Sequence, residues 1–286
     1  MTALSKIKAT PMPRRNRDNR TAGYGQIVLV LQGGGALGAY QSGVYHALHE
    51  AGVEPDWVIG TSIGAINAAL IVGNEPGDRL AALNEFWERM SQRSIWDSMM
   101  LWPQAMTSLS YWQALTSGIS GFFKPNHFAF FNPHYPLGAE RAGYYSTSEL
   151  EATLNDLIDF SLIRRSKPRL TVGAAQVRTS RMHYFDSLET EITAKHIMAS
   201  GALPPAFPAV RIDGELYWDG GILSNTPAEA IFDDHPRKNS LVFAVHMWNP
   251  TGPEPTTIWE VLHRQKNIQY SSRVATHIMR QAQIHR

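Results

Sequence analysis

Runs of apolar residues alternate with short glycine-rich breaks along the first part of the chain. Gln26-Ile27-Val28-Leu29-Val30-Leu31 is a short continuous apolar run, the pattern of a strand buried on both faces of a parallel sheet. Gly33-Gly34-Gly35-Ala36-Leu37-Gly38 follows at once. A helix is then expected over 39–50, with Gly52 at its C-terminal cap, and a second strand over 56–59. Strand, glycine loop, helix and strand in that order predict a right-handed crossover and an α/β sheet.

The segment 57–74 carries no charged residue and is about long enough to raise the question of a membrane span. Thr61, Ser62 and Asn67 interrupt it, and Gly60 and Gly64 sit near its start. β-branched residues lead in, small residues follow, and then Ala and Ile recur at helical spacing. That order predicts a strand, a tight turn and a buried helix.

Further on, helices are expected over 78–92, 148–159 and 192–200, the last ended by Gly201 and Pro204-Pro205. Strands are expected over 169–176, 182–185 and 241–246. A hairpin is expected where 209–212 and 215–218 flank Asp213-Gly214, a two-residue turn signal. Residues 94–147 are rich in Trp, Met and Phe and poor in charge; they read as core, as a greasy wall over a site for an apolar substrate, or as both. From 257 the pattern is helical to the end. It pairs an imperfect apolar stripe (Ile258, Val261, Leu262, Ile268) with a basic face (Arg264, Lys266, Arg273, Arg280), which suits a solvated face or a membrane-surface helix.

Composition narrows the classes. The chain has 286 residues, 18% charged and 43% hydrophobic, with no cysteine. It can therefore bury a full core, and disulfides, thiolate nucleophiles and cysteine metal sites are excluded. Six basic residues against Asp18 fall within the first 20. Residues 1–24 read as a disordered basic tail with no apolar run of a secretory signal. The expected layout is this tail, a domain over 25–250, and a helical extension over 251–286 that stops without a cap signal, as a truncated product would. The expected compartment is the cytoplasm, with peripheral membrane contact.

Three constellations carry chemistry. Gly60-Thr61-Ser62-Ile63-Gly64 fits G-x-S-x-G, in which a strand turns sharply into a helix and exposes a serine hydroxyl at strained backbone angles. A structural serine in a tight turn fits the same five residues. The glycine loop at 33–38 presents backbone N–H groups to a phosphate or an oxyanion. A dinucleotide site would want a carboxylate at the end of the second strand; this chain places the Gly60–Gly64 turn there, which favours an oxyanion. Asp219-Gly220-Gly221 leaves a strand end outside the hairpin, so its carboxylate is open to a neighbouring serine.

Together these motifs resemble the patatin-like phospholipases, as do Leu48–Val53, Asp56–Ile59 and Ala199–Pro208, over roughly residues 26–246. The resemblance implies a three-layer α/β/α fold with a central, mainly parallel sheet, and a Ser–Asp dyad without histidine. Matched by motif, Ser62 is the nucleophile, Asp219 the base, and Gly33, Gly34, Gly35 and Ala36 the oxyanion donors. Gly60 and Gly64 frame the elbow, and Gly38, Gly220 and Gly221 complete the motifs. The implied substrate is a lipid ester met at a transient membrane-surface contact, with no metal, no cofactor and no nucleic acid; the oligomeric state is not specified. Many relatives carry Arg or Lys where this chain has Leu37, and an acid where it has Gln32. Those changes keep the backbone donors and remove a charge suited to a phospholipid headgroup. The competing readings are a Ser–Asp–His hydrolase using His235 or His246, and a phosphate-binding module without turnover.

Overall fold

The computed structural model describes residues 23–91, 122–165 and 168–284. The basic tail through residue 22 and the aromatic positions from Trp96 to Trp112 lie outside the described residues. β1 (Gln26–Leu31) leads through a 3₁₀ turn (Gly35–Gly38) into α1 (Ala39–Glu50); β2 (Trp57–Thr61) leads into α2 (Ile63–Val72) and then α3 (Arg79–Ser91). The short strands β3 (Lys124–Pro125) and β4 (Tyr145–Ser146) pair around α4 (His127–Phe131), and α5 (Ser148–Leu157) and α6 (Phe160–Arg165) follow. The rest of the chain is β5 (Arg169–Gln176), β6 (Arg181–Asp186), α7 (Ala194–Ser200), β7 (Val210–Ile212), β8 (Glu215–Asp219), α8 (Glu229–Phe232), β9 (Ser240–Val245) and α9 (Ile258–Ile284).

The central sheet has a parallel half and an antiparallel half. β9, β1, β2 and β5 lie parallel in that order, whereas β6 and β8 both pair antiparallel with β5, and β7 pairs with β8. Side chains alternate across the sheet as strand geometry requires. Leu29, Leu31, Val58, Leu170 and Val172 face a core built with α2, α3, α5 and α7. Val28, Val30, Trp57 and Ile59 face the other way, against Ala230 and Ile231 of α8. The sheet is thus sandwiched between helices, as expected of three layers.

One detail of register places the site. Along one edge of β5, Thr61 ends β2 opposite Gly173, and Asp219 ends β8 opposite Ala174. β6 holds the other edge. β2 and β8 therefore run toward each other along the same edge and meet tip to tip, so the residues leaving the two tips are neighbours.

Several boundaries differ from the pattern-based expectation. β2 runs two residues past Ile59, because Gly60 pairs with Leu31 and Thr61 with Gly173; tertiary pairing overrides the weak strand propensity of Gly. The helix expected to reach 159 ends at Leu157, where Ile158 turns extended and the Asp159 carboxylate accepts the Ser161 N–H at 2.8 Å, starting α6. The hairpin turn is as read: Asp213 and Gly214 have φ of 49° and 83°, the left-handed pair a two-residue I′ turn needs.

The first part of the C-terminal helix turns its apolar positions outward. Ile258, Val261, Leu262 and Ile268 are exposed, while Asn267 and Ser271 are buried. Polar bonds seat it: Gln32 donates to the Tyr270 carbonyl at 3.1 Å, and the Asn249 N–H donates to the Asn267 side chain at 3.2 Å. No helix among the described residues is long and apolar enough to cross a membrane.

Candidate active site

Ser62 is the residue between β2 and α2, and its backbone is strained into φ 57°, ψ −130°. For a non-glycine residue such a conformation costs on the order of 1–3 kcal/mol. The approach of strand to helix imposes it. A Cβ on Gly60 would sit 2.3 Å from the Gly64 carbonyl oxygen, and one on Gly64 would sit 2.2 Å from that of Leu31. Only glycine fits at either place. The Ser62 carbonyl accepts the Ala65 N–H at 2.9 Å, so the serine caps α2 and its side chain lies at the positive end of that helix.

A chain of hydrogen bonds holds the turn. The Ser62 N–H donates to Ser200 Oγ at 2.9 Å, and Ser200 Oγ donates in turn to the Gly173 carbonyl at 2.6 Å. Ser200 is fully buried at the end of α7. Two residues later, the Ala202 carbonyl accepts the Asp219 N–H at 2.9 Å. One short segment, 200–202, therefore fastens the backbone of both Ser62 and Asp219.

Asp219 is 2% exposed. Its Oδ1 accepts the Gly221 N–H at 2.7 Å, and its carboxylate interacts with the Ser62 hydroxyl. Burial pushes the carboxyl up to about 6, against the lowering effect of the Ser62 hydroxyl and of the Gly221 N–H. A carboxylate near 6 is a better proton acceptor than an ordinary one near 4 and is still ionised at neutral pH. Gly220 lets β8 close on β5, since a Cβ there would stand 2.5 Å from the Gly173 oxygen. His246 and His235 are exposed, and among the described residues neither hydrogen-bonds Ser62 or Asp219.

The glycine loop lies beside this pair. A Cβ on Gly33 would approach Ser62 Cβ to 3.0 Å and Asn225 Oδ1 to 2.3 Å. Gly33 departs from its expected part as an oxyanion donor, because its N–H already donates to the Asn225 carbonyl at 3.0 Å. Its carbonyl takes both Asn225 Nδ2 and Trp248 Nε1, each at 2.9 Å. Gly33 is the clamped root of the loop. The N–H groups of Gly34, Gly35 and Ala36 have no acceptor among the described residues, in keeping with the open first turn of a helix. Gly38 packs the far end of the loop onto α2, where a Cβ would meet Ile63 at 2.5 Å and where its carbonyl accepts Asn67 Nδ2 at 2.9 Å.

Motif reading missed Ser200, Asn225 and Trp248. Ser200 lies inside the quoted phrase Ala199–Pro208, but no spacing rule marks a serine so far from the elbow. Asn225 follows Gly221 closely and carries no pattern of its own. Gln32 gains a reason: its buried amide accepts the Met247 N–H at 2.7 Å while donating to α9, two roles that a carboxylate could not both fill.

Together, the arrangement offers a hydroxyl on a strained turn, a buried carboxylate beside it, and N–H groups without an acceptor among the described residues in the adjoining loop. Comparison with known proteins gives the family. The family model for patatin-like phospholipases matches residues 29–232. An uncharacterized NTE family protein of Mycobacterium tuberculosis is 30% identical over 72% of this chain and 28% of its own length. Human patatin-like phospholipase domain-containing protein 6 is 28% identical over 71% of this chain and 12% of its own. The chain thus spans under a third of these relatives. VipD from Legionella pneumophila aligns with a TM-score of 0.42 at 19% identity, over 76% of this chain and 49% of that one. The match of the family model over most of the chain places it: this protein belongs to the patatin-like phospholipase family.

Proposed function

We propose that this chain is a serine acyl hydrolase that cleaves the carboxylic esters of lipids through an acyl-enzyme, with Ser62 as nucleophile and Asp219 as base. The observation that carries the reading is the Ser62 hydroxyl set against a buried carboxylate whose pKa is about 6, with no histidine bonded to either among the described residues. A serine hydroxyl attacks only as a base removes its proton. Asp219 takes that proton while Ser62 Oγ bonds to the ester carbon. The carbonyl electrons move onto oxygen, where the N–H groups of Gly34, Gly35 and Ala36 receive the charge. A single such donor is worth about 3 kcal/mol in other hydrolases.

Collapse of this intermediate breaks the bond to the alcohol oxygen, which leaves with the proton from Asp219. Water then gives a proton to Asp219 and its oxygen to the acyl carbon. The second collapse releases the fatty acid and returns the proton to Ser62. Asp219 serves in both halves.

Hydrolysis of p-nitrophenyl esters by wild type, Ser62→Ala, Asp219→Asn and His246→Ala tests this. Loss of on the order of 10³-fold or more in the first two, with His246→Ala active, is the expected result. Undiminished turnover by Ser62→Ala overturns the proposal, and a comparable loss in His246→Ala with Asp219→Asn active hands the site to a histidine triad.

A further inference from the structure

A chain of buried amides anchors the glycine loop at its two ends. The Gln32 carbonyl, just before the loop, accepts Gln41 Nε2 of α1 at 2.7 Å. The Gly38 carbonyl, at the far end, accepts Asn67 Nδ2 of α2 at 2.9 Å. The same Asn67 nitrogen donates its second hydrogen to Gln41 Oε1 at 2.8 Å, and Asn67 Oδ1 accepts Trp87 Nε1 of α3 at 3.1 Å. Asn67 and Gln41 are 0% and 1% exposed, so bulk water cannot stand in for a lost partner. Asn67 lies on α2, the helix that opens directly after Ser62.

The direction of donation along this chain is fixed at one end. An indole N–H can only donate, so the Asn67 atom facing Trp87 is its oxygen, and the amide nitrogen faces Gly38 and Gln41. Gln41 then presents its oxygen to Asn67 and its nitrogen to the Gln32 carbonyl. Reversing Asn67 would set its NH₂ against the indole and its oxygen against the Gly38 carbonyl. Apolar side chains would fill the same space without a directional hold on either carbonyl. The loop needs such a hold. Residues 33–36 are three glycines and an alanine, with almost no side chain of their own to fix the N–H groups of Gly34, Gly35 and Ala36.

We infer that Trp87, Asn67 and Gln41 are positioning residues that set the N–H groups of Gly34, Gly35 and Ala36 relative to Ser62; this rests on the acyl-hydrolase reading above. The chain ties α1, α2 and α3 to both ends of the loop, so nucleophile and donors share one frame. Misplacing such groups by about 1 Å costs up to about a hundredfold in rate. Ground-state binding is spared, because the donors meet a full charge only in the transition state.

The test pairs turnover of p-nitrophenyl butyrate with inhibition by a trifluoromethyl ketone, which is held as a charged tetrahedral adduct. Asn67→Leu removes both amide hydrogens at similar volume, and Trp87→Phe removes the indole N–H while keeping an aromatic ring. In each, kcat should fall about fivefold or more with KM within about twofold, and ketone affinity should fall with kcat. The double variant should be no slower than Asn67→Leu, because the indole acts through the amide. Tyr45→Phe, which breaks a bond from buried Tyr45 of α1 to Glu54, should lower the melting temperature and leave kcat unchanged. Where Asn67→Leu does not fold, Trp87→Phe decides alone. A smaller fall in kcat, an unmoved ketone affinity, fully additive losses in the double variant, or an equal fall in Tyr45→Phe overturns the assignment. Ser62→Ala in the same assay separates the two ideas. An inactive Ser62→Ala beside an unchanged Trp87→Phe removes the positioning role and keeps the hydrolase, whereas an active Ser62→Ala removes both.

Discussion

Ser200 Oγ accepts the N–H of Ser62 at 2.9 Å while its own O–H donates to the Gly173 carbonyl. The hydroxyl thus ties the strained elbow to β5, the strand against which β2 and β8 meet. Ser200→Ala leaves a buried N–H and a buried C=O without a partner, a cost of about 1–3 kcal/mol each at most. We expect kcat to fall about tenfold to a hundredfold with KM within about twofold, since the defect moves the proposed nucleophile and not the substrate walls. The rate of labelling by a small fluorophosphonate reads Ser62 directly. A lowered melting temperature with an unchanged labelling rate would reduce Ser200 to a packing residue.

Asp219 also sets a pH dependence. Burial raises its carboxyl to about 6, and only the ionised form can accept the Ser62 proton. For an uncharged ester, kcat/KM should fall about tenfold per pH unit below 6 and level off above about 7. His246→Ala should keep the same midpoint. A midpoint that shifts or disappears in that variant would assign the titration to the histidine.

How much of this was legible beforehand follows from what local pattern encodes. The apolar run of β1, the hairpin at Asp213-Gly214 and the elbow glycines are local requirements, so residue type and spacing revealed them. Ser62, Asp219 and the glycine loop were readable as a set because each motif carries its own steric demand. Their pairing was expected from the resemblance alone; the register that brings them together was not readable, because it depends on Thr61 and Asp219 ending at adjacent positions on one edge of β5. The bond from Gly33 N–H to Asn225 was hidden for the same reason, since it joins residues 192 positions apart in a contact that no pattern announces. The seat of the last helix was not readable, because it is made by Gln32, Asn249 and Asn267 rather than by an apolar stripe.

The burial that raises the Asp219 carboxyl also destabilises the fold. Its carboxyl lies near 6 when folded and near 3.8 when unfolded, so the folded state holds the proton more tightly. Stability is therefore greatest below the unfolded value and is lost as pH rises from about 4 through about 6. The loss at pH 8 is of order 3 kcal/mol. Asp219→Asn removes the ionisation and should raise the melting temperature relative to wild type at pH 8 while changing it little at pH 4. Thermal denaturation at the two pH values measures this. An equal shift at both would place the effect in packing rather than in the charge.

At the opposite end of β5, Arg169 organises a cluster of its own. Its guanidinium lies 4.1 Å from the centre of the Trp57 ring, bonds Asp186 at 2.8 and 2.9 Å, and bonds Asp234 at 2.7 Å. The two carboxylates are largely buried, and Arg169 pairs in register with Trp57, four positions from the Thr61–Gly173 pair beside the elbow. Removing the cation leaves two buried negative charges facing each other. Arg169→Met should therefore cost about 3 kcal/mol or more, read as the midpoint of urea unfolding. Fluorophosphonate labelling per folded molecule should stay within about twofold of wild type. Arg169→Lys should recover only part of the loss, because a point charge cannot reach both carboxylates and stack on the ring as the planar fork does. Adding Asp234→Asn to Arg169→Met removes one stranded charge, so the double variant should be more stable than Arg169→Met alone. A double variant that is less stable than Arg169→Met would show that Asp234 is held by partners other than the arginine.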